Sequence, residues 1–339
     1  MKQRQILSWL ILLIILTAAC SARLPAGCPP DCVGQNLVNR NLDSANLSGA
    51  RLMDADLSHA DMVDADLSGA DLSGARLVET NLESANLDNS TLVGADFSSA
   101  NLGDCSVKGA SFQGADLSKA NLVGNDLTSA ILSGINLEKA VLIGSKLNGV
   151  NLAGIKATSS NLNGADLTGS NLNGSQLSIA KLNGAKMQNS ELRGAWLNLA
   201  ELISTDLKGS DLSGALLYGA DLTGANLANS NLNGTKLIGA DLSGADLRGA
   251  DLSGAILKVP ISPNANVGFS FAALTGADLL DSIIQAGLVS LYYDDNMRKL
   301  TEAQIKPILQ DTVLQGVLYN TTTIWPIGFE IPPNAIFQK

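Results

Sequence analysis

Side chains that could carry out catalysis are few in this sequence. His59 is the single histidine, and it is expected at an outer corner of the fold, so a Ser–His–Asp or Cys–His arrangement is not expected. A metal site with several histidines is impossible. Glycine recurs at a regular spacing and forms no phosphate-binding loop before a helix, and no dense loop of calcium ligands is present. The sequence therefore predicts a protein that is not an enzyme, with no catalytic residues, metal site or cofactor.

The first twenty residues, MKQRQILSWLILLIILTAAC, have the form of an export signal. The apolar run over residues 6–16 is much shorter than the roughly 20 residues that a helix needs to span a bilayer. The stretch LTAAC is similar to the signal of bacterial lipoproteins, in which the cysteine becomes the first mature residue and carries lipid. This resemblance implies lipidation of Cys20 and a protein tethered to a membrane of the bacterial cell envelope, facing the periplasm or exterior. Ordinary cleavage near Ala19 or Ala22, or an uncleaved anchor, are the alternatives.

The other cysteines fit an exported chain. Cys28 and Cys32, in CPPDC, are predicted to form a small-loop disulfide in an oxidising compartment, provided that their Cα atoms approach closely. A zinc site would need two further ligands, and none is nearby in the sequence. Cys105 stands where other repeats have Ala, Ser or Thr, and we expect a buried small side chain.

A period of five residues organises most of the chain. Counting from Leu37 in steps of five reaches Leu257 without an insertion, and 39 of the 45 positions are Leu. The others are Met62, Phe97, Val107, Phe112, Ala157 and Met187, and only Ala157 is too small to fill a leucine site. A small residue usually stands two positions before each, and Asn125 and Ile135 are among the exceptions. This pattern predicts short straight sides with inward-pointing side chains, separated by sharp turns of Gly, Asn, Asp and Ser.

The stretches ADLSGADLRGADLSGA and ANLSGARLMDADLSHADM match the A-(D/N)-L-x-x pattern, so residues 37–257 resemble the pentapeptide-repeat proteins. The resemblance implies an all-β fold, a right-handed quadrilateral β-helix in which four repeats form one coil. The predicted solenoid has about 11–12 coils, including one offset coil after the main register, with strand-like spacing between coils. Open ends of such a stack need caps.

The predicted organisation has five segments. A lipoprotein-type signal peptide occupies residues 1–19, a connector with Pro and Cys 20–35, the repeat β-helix 36–257, a loop with the offset coil 258–286, and a C-terminal cap with a short helix 287–339. The tail resembles a Tyr-(Asp/Asn)-x-x-Thr-x-(Trp/Phe)-Pro-x-Gly-Phe motif that follows pentapeptide repeats in cyanobacterial and related proteins. Its residues are expected to cover the last coil or to serve in recognition: Tyr319, Trp325, Pro326, Gly328 and Phe329.

Residues twenty apart should stack on one face. One such series alternates in charge, and we expect exposed ion pairs there rather than catalytic carboxylates: Asp126, Lys146, Asp166, Lys186 and Asp206. The family includes mimics of double-stranded DNA that bind gyrase, which need an acidic face throughout. Residues 121–205 hold five acidic and six basic side chains, so gyrase-type binding is not expected, and neither is a nucleic acid partner.

One predicted outer surface is apolar. Trp196 and Leu216 lie twenty apart, and Leu199, Tyr218 and Ile238 fall on the adjoining side or corner. Such a patch can mark contact with a protein partner or a second copy in a homodimer, although scattered surface hydrophobic residues are the alternative.

These patterns favour a non-catalytic, membrane-tethered lipoprotein that acts as a rigid scaffold or protein-interaction rod in the cell envelope. The alternatives are a soluble exported or cytoplasmic protein that inhibits or protects a partner enzyme, and an enzyme sited in the C-terminal segment.

Overall fold

The computed structural model describes residues 24–25 and 27–256, together with the backbone of residues 318–319 and 336–337. The chain divides into two compact units. Unit 1 comprises Met1–Asn125 and Ser129–Ile131, and unit 2 comprises Asp126–Thr128 and Leu132–Lys339. In the described residues of both, the same five-residue element repeats.

Each element has a bridge residue, a central residue, two turn residues and a small residue. In the element beginning at Arg51, the Arg51 amide donates to the Pro30 carbonyl (2.7 Å) and the Leu52 amide donates to the Asp71 carbonyl (2.7 Å). Arg51 thus pairs in parallel with Asp31 on one side and Asp71 on the other. Because the partners are twenty residues away, four elements complete one coil, as the sequence predicts.

The acid or amide at the bridge position holds the turn that follows. Its Oδ1 accepts the amide two residues ahead, for example from Val38 to Asn36 (3.1 Å) and from Ser73 to Asp71 (3.0 Å). Asp and Asn share this geometry, which explains why either fits the repeat. The second turn residue adopts a left-handed conformation, as Gly49 does at φ 65°, and glycine takes it without a Cβ clash.

The core of unit 1 is a stack of buried central residues, mostly leucine. Two central residues are aromatic: Phe97 and Phe112 are fully buried, with ring centroids 5.8 Å apart and planes tilted by 53°. The larger polar residues at small positions donate to a carbonyl in the preceding coil: Thr80 to Leu57 (2.9 Å), Cys105 to Leu82 (2.8 Å) and Asn125 to Leu102 (2.9 Å).

The first element of unit 1 lies inside the segment predicted as the connector. Cys32 takes a central position, fully buried, and Asp31 begins the ladder by pairing with Arg51. Cys32 is joined by a disulfide to Cys28, with the Cα atoms 4.8 Å apart. Since Cys28 is buried as well, the disulfide covers the first layer of the core. The leucine register missed this element because a cysteine stands in for the leucine.

In unit 2 most small positions hold Ala or Ser, and the others hold Ile135, Val150, Ile155, Thr205 and Thr235. Most of these serines donate to the central carbonyl three residues earlier, as Ser190 does to Met187 (2.7 Å) and Ser210 to Leu207 (2.5 Å). Ser170 and Ser175 are buried, yet their hydroxyls have no partner among the described residues. Ser175 follows Ile155 in the stack, where an apolar side chain replaces the usual small one.

The named strands are short. β1, Leu318–Tyr319, pairs in parallel with β2, Ile336–Phe337, and the repeat ladders consist of isolated single-residue bridges. The all-β class as such stays a prediction. The loop with the offset coil lies outside the described residues, as does the tail apart from these strands.

Candidate functional site

The predicted apolar residues meet on one side of the unit 2 coils, which we call the Trp196 side. It comprises residues 136–139, 156–159, 176–179, 196–199, 216–219 and 236–239. The bridges Lys156–Gln176, Gln176–Trp196, Trp196–Leu216 and Leu216–Lys236 make one column of bridge residues along it.

Large apolar side chains project from this side. Trp196 is 49% exposed, Leu199 60% and Tyr218 37%, whereas Leu216 and Ile238 are half-buried. The Leu199 amide donates to the Tyr218 carbonyl (2.8 Å), and a Cβ built on Gly219 would lie 2.8 Å from Leu199 Cδ2. The structure therefore brings the five predicted residues onto neighbouring rungs.

Ile179 also belongs to the patch and was missed in the sequence. It is 52% exposed and stands twenty residues before Leu199, at the same turn position. Both adopt positive φ, 61° at Ile179 and 57° at Leu199. A β-branched residue in the left-handed region is an outlier, and such strain costs on the order of 1–3 kcal/mol. The twenty-residue spacing from Leu199 was the signal that could have identified it.

The backbone beneath the patch is fully engaged. The Trp196 amide donates to the Ser175 carbonyl (2.8 Å), and its carbonyl accepts the Leu177 amide (2.7 Å). The Leu216 amide and carbonyl are likewise bonded, to Ala195 and Leu197 (2.9 and 2.7 Å). A partner therefore cannot add a strand here, and recognition must use side chains.

The Trp196 side also differs in charge from the other sides of unit 2. It carries Lys139, Lys156 and Lys236 against Glu138, three positive and one negative, hence +2. Over residues 126–256, the sides that contain Glu201 and Asp211 each carry three acidic and one basic residue, hence −2. The side that contains Asp126 has four of each. The apolar patch is thus flanked by positive charge on an otherwise neutral or acidic unit.

Several charged or titratable side chains elsewhere pair with a residue twenty positions away, on the exposed surface. Lys146 lies 3.4 Å from Asp126, and both are about half exposed. His59 lies 3.3 Å from Glu79 in unit 1, also exposed. Exposed pairs of this kind contribute about 0–1 kcal/mol each to stability, so we interpret them as surface ion pairs and not as a functional site.

Nothing in the described part of the chain resembles a catalytic or metal centre. Among residues 24–25 and 27–256, no group of three or more His, Cys, Asp or Glu is placed to hold a metal ion. Cys105 is a buried thiol whose pKa is raised to about 12 by desolvation, so it is not a nucleophile at neutral pH. Within the same residues, no helix is long and apolar enough to cross a bilayer.

The pKa values of several aspartates are lowered by hydrogen bonds from the turn residues that follow them. Ser58 donates its hydroxyl to Asp56 (2.6 Å) and Thr128 does so to Asp126 (2.7 Å), and these bonds lower the pKa of both carboxyls. The pKa values of Asp66 and Asp166 are lowered chiefly by bonds from Ser68 and Thr168.

These shifts predict acid sensitivity. A carboxyl with a lowered pKa in the folded state stabilises the fold above its unfolded pKa, about 3.9, and this contribution is lost as the pH falls through the folded value. We expect a melting temperature by circular dichroism that is flat from pH 8 to 5 and falls below about pH 4. D56N/D66N/D126N/D166N keeps the Oδ1 acceptors, so its fall should be smaller. An equally steep fall in this variant would contradict the assignment.

Some predicted site residues lie outside the described residues. These are Cys20, the side chain of Tyr319, Trp325, Pro326, Gly328 and Phe329.

Comparisons with known proteins identify the repeat. The family model for pentapeptide repeats matches residues 32–69, 65–104, 105–142, 135–174, 175–214 and 215–254. HetL, a pentapeptide repeat protein involved in heterocyst differentiation regulation from the cyanobacterium Nostoc sp. strain PCC 7120, is 34% identical over 72% of this chain and 94% of its own, with a TM-score of 0.29. Rfr23 from the cyanobacterium Cyanothece 51142 is 33% identical over 33% of this chain and 87% of its own, with a TM-score of 0.23.

A more distant similarity is to QnrB1, a plasmid-mediated fluoroquinolone resistance protein, at 18% identity over 71% of this chain and 95% of that one, with a TM-score of 0.26. A comparison with curated proteins gives no match. The family match covers the twenty-residue ladders of both units, and the right-handed quadrilateral β-helix is the fold that it implies. By its repeats, this chain belongs to the pentapeptide-repeat family.

Proposed function

We propose that this chain is a non-catalytic lipoprotein of the bacterial cell envelope whose repeat units present a binding surface to a protein partner. The observation that carries the proposal is the exposed apolar patch around Trp196, which extends over several rungs of unit 2. A solvent-facing cluster of Trp, Tyr, Leu and Ile is typical of a protein contact site.

The proposal of a non-catalytic role is supported by the structural roles of the polar side chains. Bridge-position Asp and Asn residues hold turns, and small-position Ser and Thr residues bond core carbonyls. Pentapeptide-repeat proteins are generally non-catalytic scaffold or interaction proteins. A scaffold needs a stiff backbone, and the hydrogen-bonded ladders of unit 2 supply that stiffness around the patch.

The membrane tether is proposed from the N-terminal sequence. The short apolar run and LTAAC support export and lipid attachment at Cys20, which would place the repeats at a membrane surface. In the same proposal the Cys28–Cys32 disulfide closes the N-terminal end of unit 1 in an oxidising compartment, and residues 287–339 cap the last coil of unit 2.

Mass spectrometry of the mature N-terminus tests the tether. Expressed in a bacterial host, the full chain should yield an N-terminal peptide that begins at Cys20 with attached lipid, and the protein should sediment with membranes. Cys20→Ser should abolish both the lipid mass and the membrane association. An intact Met1 without lipid would refute the tether, and a cleaved soluble form would favour the soluble-inhibitor alternative.

Site-specific photocrosslinking in the same host tests the binding surface. A photoreactive residue at Tyr218 should crosslink a partner, whereas the same residue at Thr223, the matching turn position on the next side, should not. Equal crosslinking at both positions would remove the Trp196 side from the proposal without affecting the tether.

A further inference from the structure

We infer that the Trp196 side recognises a protein segment in which an aromatic or aliphatic centre is flanked on both sides by acidic residues. This inference rests on the proposed binding function and specifies the chemistry of the partner. The juxtaposition that supports it is a single column of bridge residues, Lys156, Gln176, Trp196, Leu216 and Lys236, in consecutive rungs.

The lysines that flank the apolar centre of this column are available for a partner. Neither Lys156 nor Lys236 forms an ion pair within the described residues. On the other sides of unit 2, Lys146, Arg193 and Arg248 form ion pairs, and Lys181, Lys186 and Lys208 do not form one within the described part of the chain. Lys139, at a turn position in the preceding coil, is also without an ion pair among the described residues. Three lysines against the single Glu138 therefore leave net positive charge on both flanks of the apolar centre, where it can meet carboxylates of a partner.

The dimensions suit a short segment. Lys156 and Lys236 are four rungs apart, which corresponds to about 19 Å at strand spacing. An extended chain covers that distance in about six residues at roughly 3.3 Å each. Because the backbone groups under the patch are engaged, affinity would come from packing on Trp196, Leu199 and Tyr218 and from the lysines.

A second copy of the chain fits less well. If two copies met face to face across a two-fold axis along the solenoid, each lysine would face its own counterpart. If the copies ran antiparallel about the midpoint between Trp196 and Leu216, Lys236 of one copy would lie within about 5 Å, one rung, of the other's Lys156. Both arrangements bury like charges together, which opposes association.

An anionic membrane also fits less well. The lysines would favour it, but the neighbouring sides of unit 2 carry −2 each and the chain carries −10 in total. A protein segment can place its acids opposite the lysines alone, whereas an anionic lipid surface would face the acidic sides too.

Selection from a display library of random 12-residue peptides tests the inference, with purified protein as bait and W196N/L216N for counter-selection. We expect enriched peptides with an aromatic or aliphatic centre and Asp or Glu on both flanks. Their affinity should fall at least tenfold in W196N/L216N and at least tenfold in K156E/K236E. K146E/K186E, the matched charge change on the side that contains Asp126, should alter it less than twofold.

The other outcomes overturn the inference. These are enrichment of basic peptides, no enrichment over W196N/L216N, or affinities unaffected by K156E/K236E. Sedimentation equilibrium that shows a dimer dependent on Trp196 would instead assign the side to a second copy. Trp196-dependent binding to phosphatidylglycerol vesicles without peptide enrichment would assign it to a membrane. Crosslinking at Tyr218 and lipidation at Cys20 are read separately, so a wrong partner chemistry is distinguishable from a wrong function.

Discussion

Ile155→Ala should lower the free energy of local opening in unit 2 by about 3–4 kcal/mol, and adding Ala157→Leu should restore most of it. Ala157 leaves a leucine site almost empty, and it is fully buried. Ile155, two residues earlier, stands at a small position and is 2% exposed. We interpret the pair as an exchange of sizes within one layer of the core, in which the isoleucine occupies the space that the missing leucine leaves.

Each single variant should then be less stable than the wild type, for opposite reasons. Ile155→Ala opens a cavity, while Ala157→Leu alone adds volume to a filled layer and costs about 1–3 kcal/mol. I155A/A157L has the ordinary pattern of the repeat, so its stability should lie within about 1.5 kcal/mol of the wild type.

Native-state hydrogen exchange is the suitable measurement, because long repeat arrays need not unfold in two states. The amides of Leu137 and Ala157, which bond the Lys156 and Gln176 carbonyls, report on this layer. L217A combined with A157L, two changes in separate coils, serves as the additive control. Additive losses in I155A/A157L would contradict the size exchange.

Much of the fold follows from the period alone. The five-residue register fixes which residues point inward, and four turns per coil fix which residues stack. The bridges Asp126–Lys146, Lys181–Glu201 and Trp196–Leu216 all follow from counting by twenties. Counting succeeds because each rung contacts only its neighbours and the register has no insertion to shift it.

The residues that the period did not predict depend on side-chain volume and on the ends of the repeat stack. A pattern of leucines carries no information about either. Cys32 was not recognised as a central residue because a disulfide-bonded cysteine, not an aliphatic side chain, fills the first central position. Ile155 passed as an ordinary small position, although it compensates for Ala157. Ile179 shares the turn position of Leu199, but its own coil has Gln176 where the next has Trp196, so nothing beside it in the sequence marks an apolar surface.

The second large effect concerns the aromatic pair of unit 1. Phe97→Ala should cost about 3–5 kcal/mol of local opening free energy, because it empties a fully buried site that Phe112 also lines. Phe97→Leu supplies the residue that most central positions have, and it should cost about 1–2 kcal/mol. The tilted rings at 5.8 Å add a term that leucine cannot supply, about 0.5–1.5 kcal/mol.

That term is measurable as a coupling. F97L/F112L should lose less than the sum of the two single leucine variants by about 0.5–1.5 kcal/mol, since the ring contact is lost only once. The Leu77 and Phe97 amides, bonded to the Asp96 and Asp116 carbonyls, report on it by hydrogen exchange. Leu197→Ala, at the same position of a coil in unit 2, is the matched control, because the described central residues of unit 2 include no aromatic side chain.

A coupling near zero would mean that Phe97 and Phe112 act only as large hydrophobic residues. In that case any two central positions could exchange Leu for Phe without regard to each other. A positive coupling means that the two positions are constrained as a pair, although fifteen residues separate them in the sequence. The five-residue pattern would then carry long-range packing information at the points where it departs from leucine, as it does at Ile155 and Ala157.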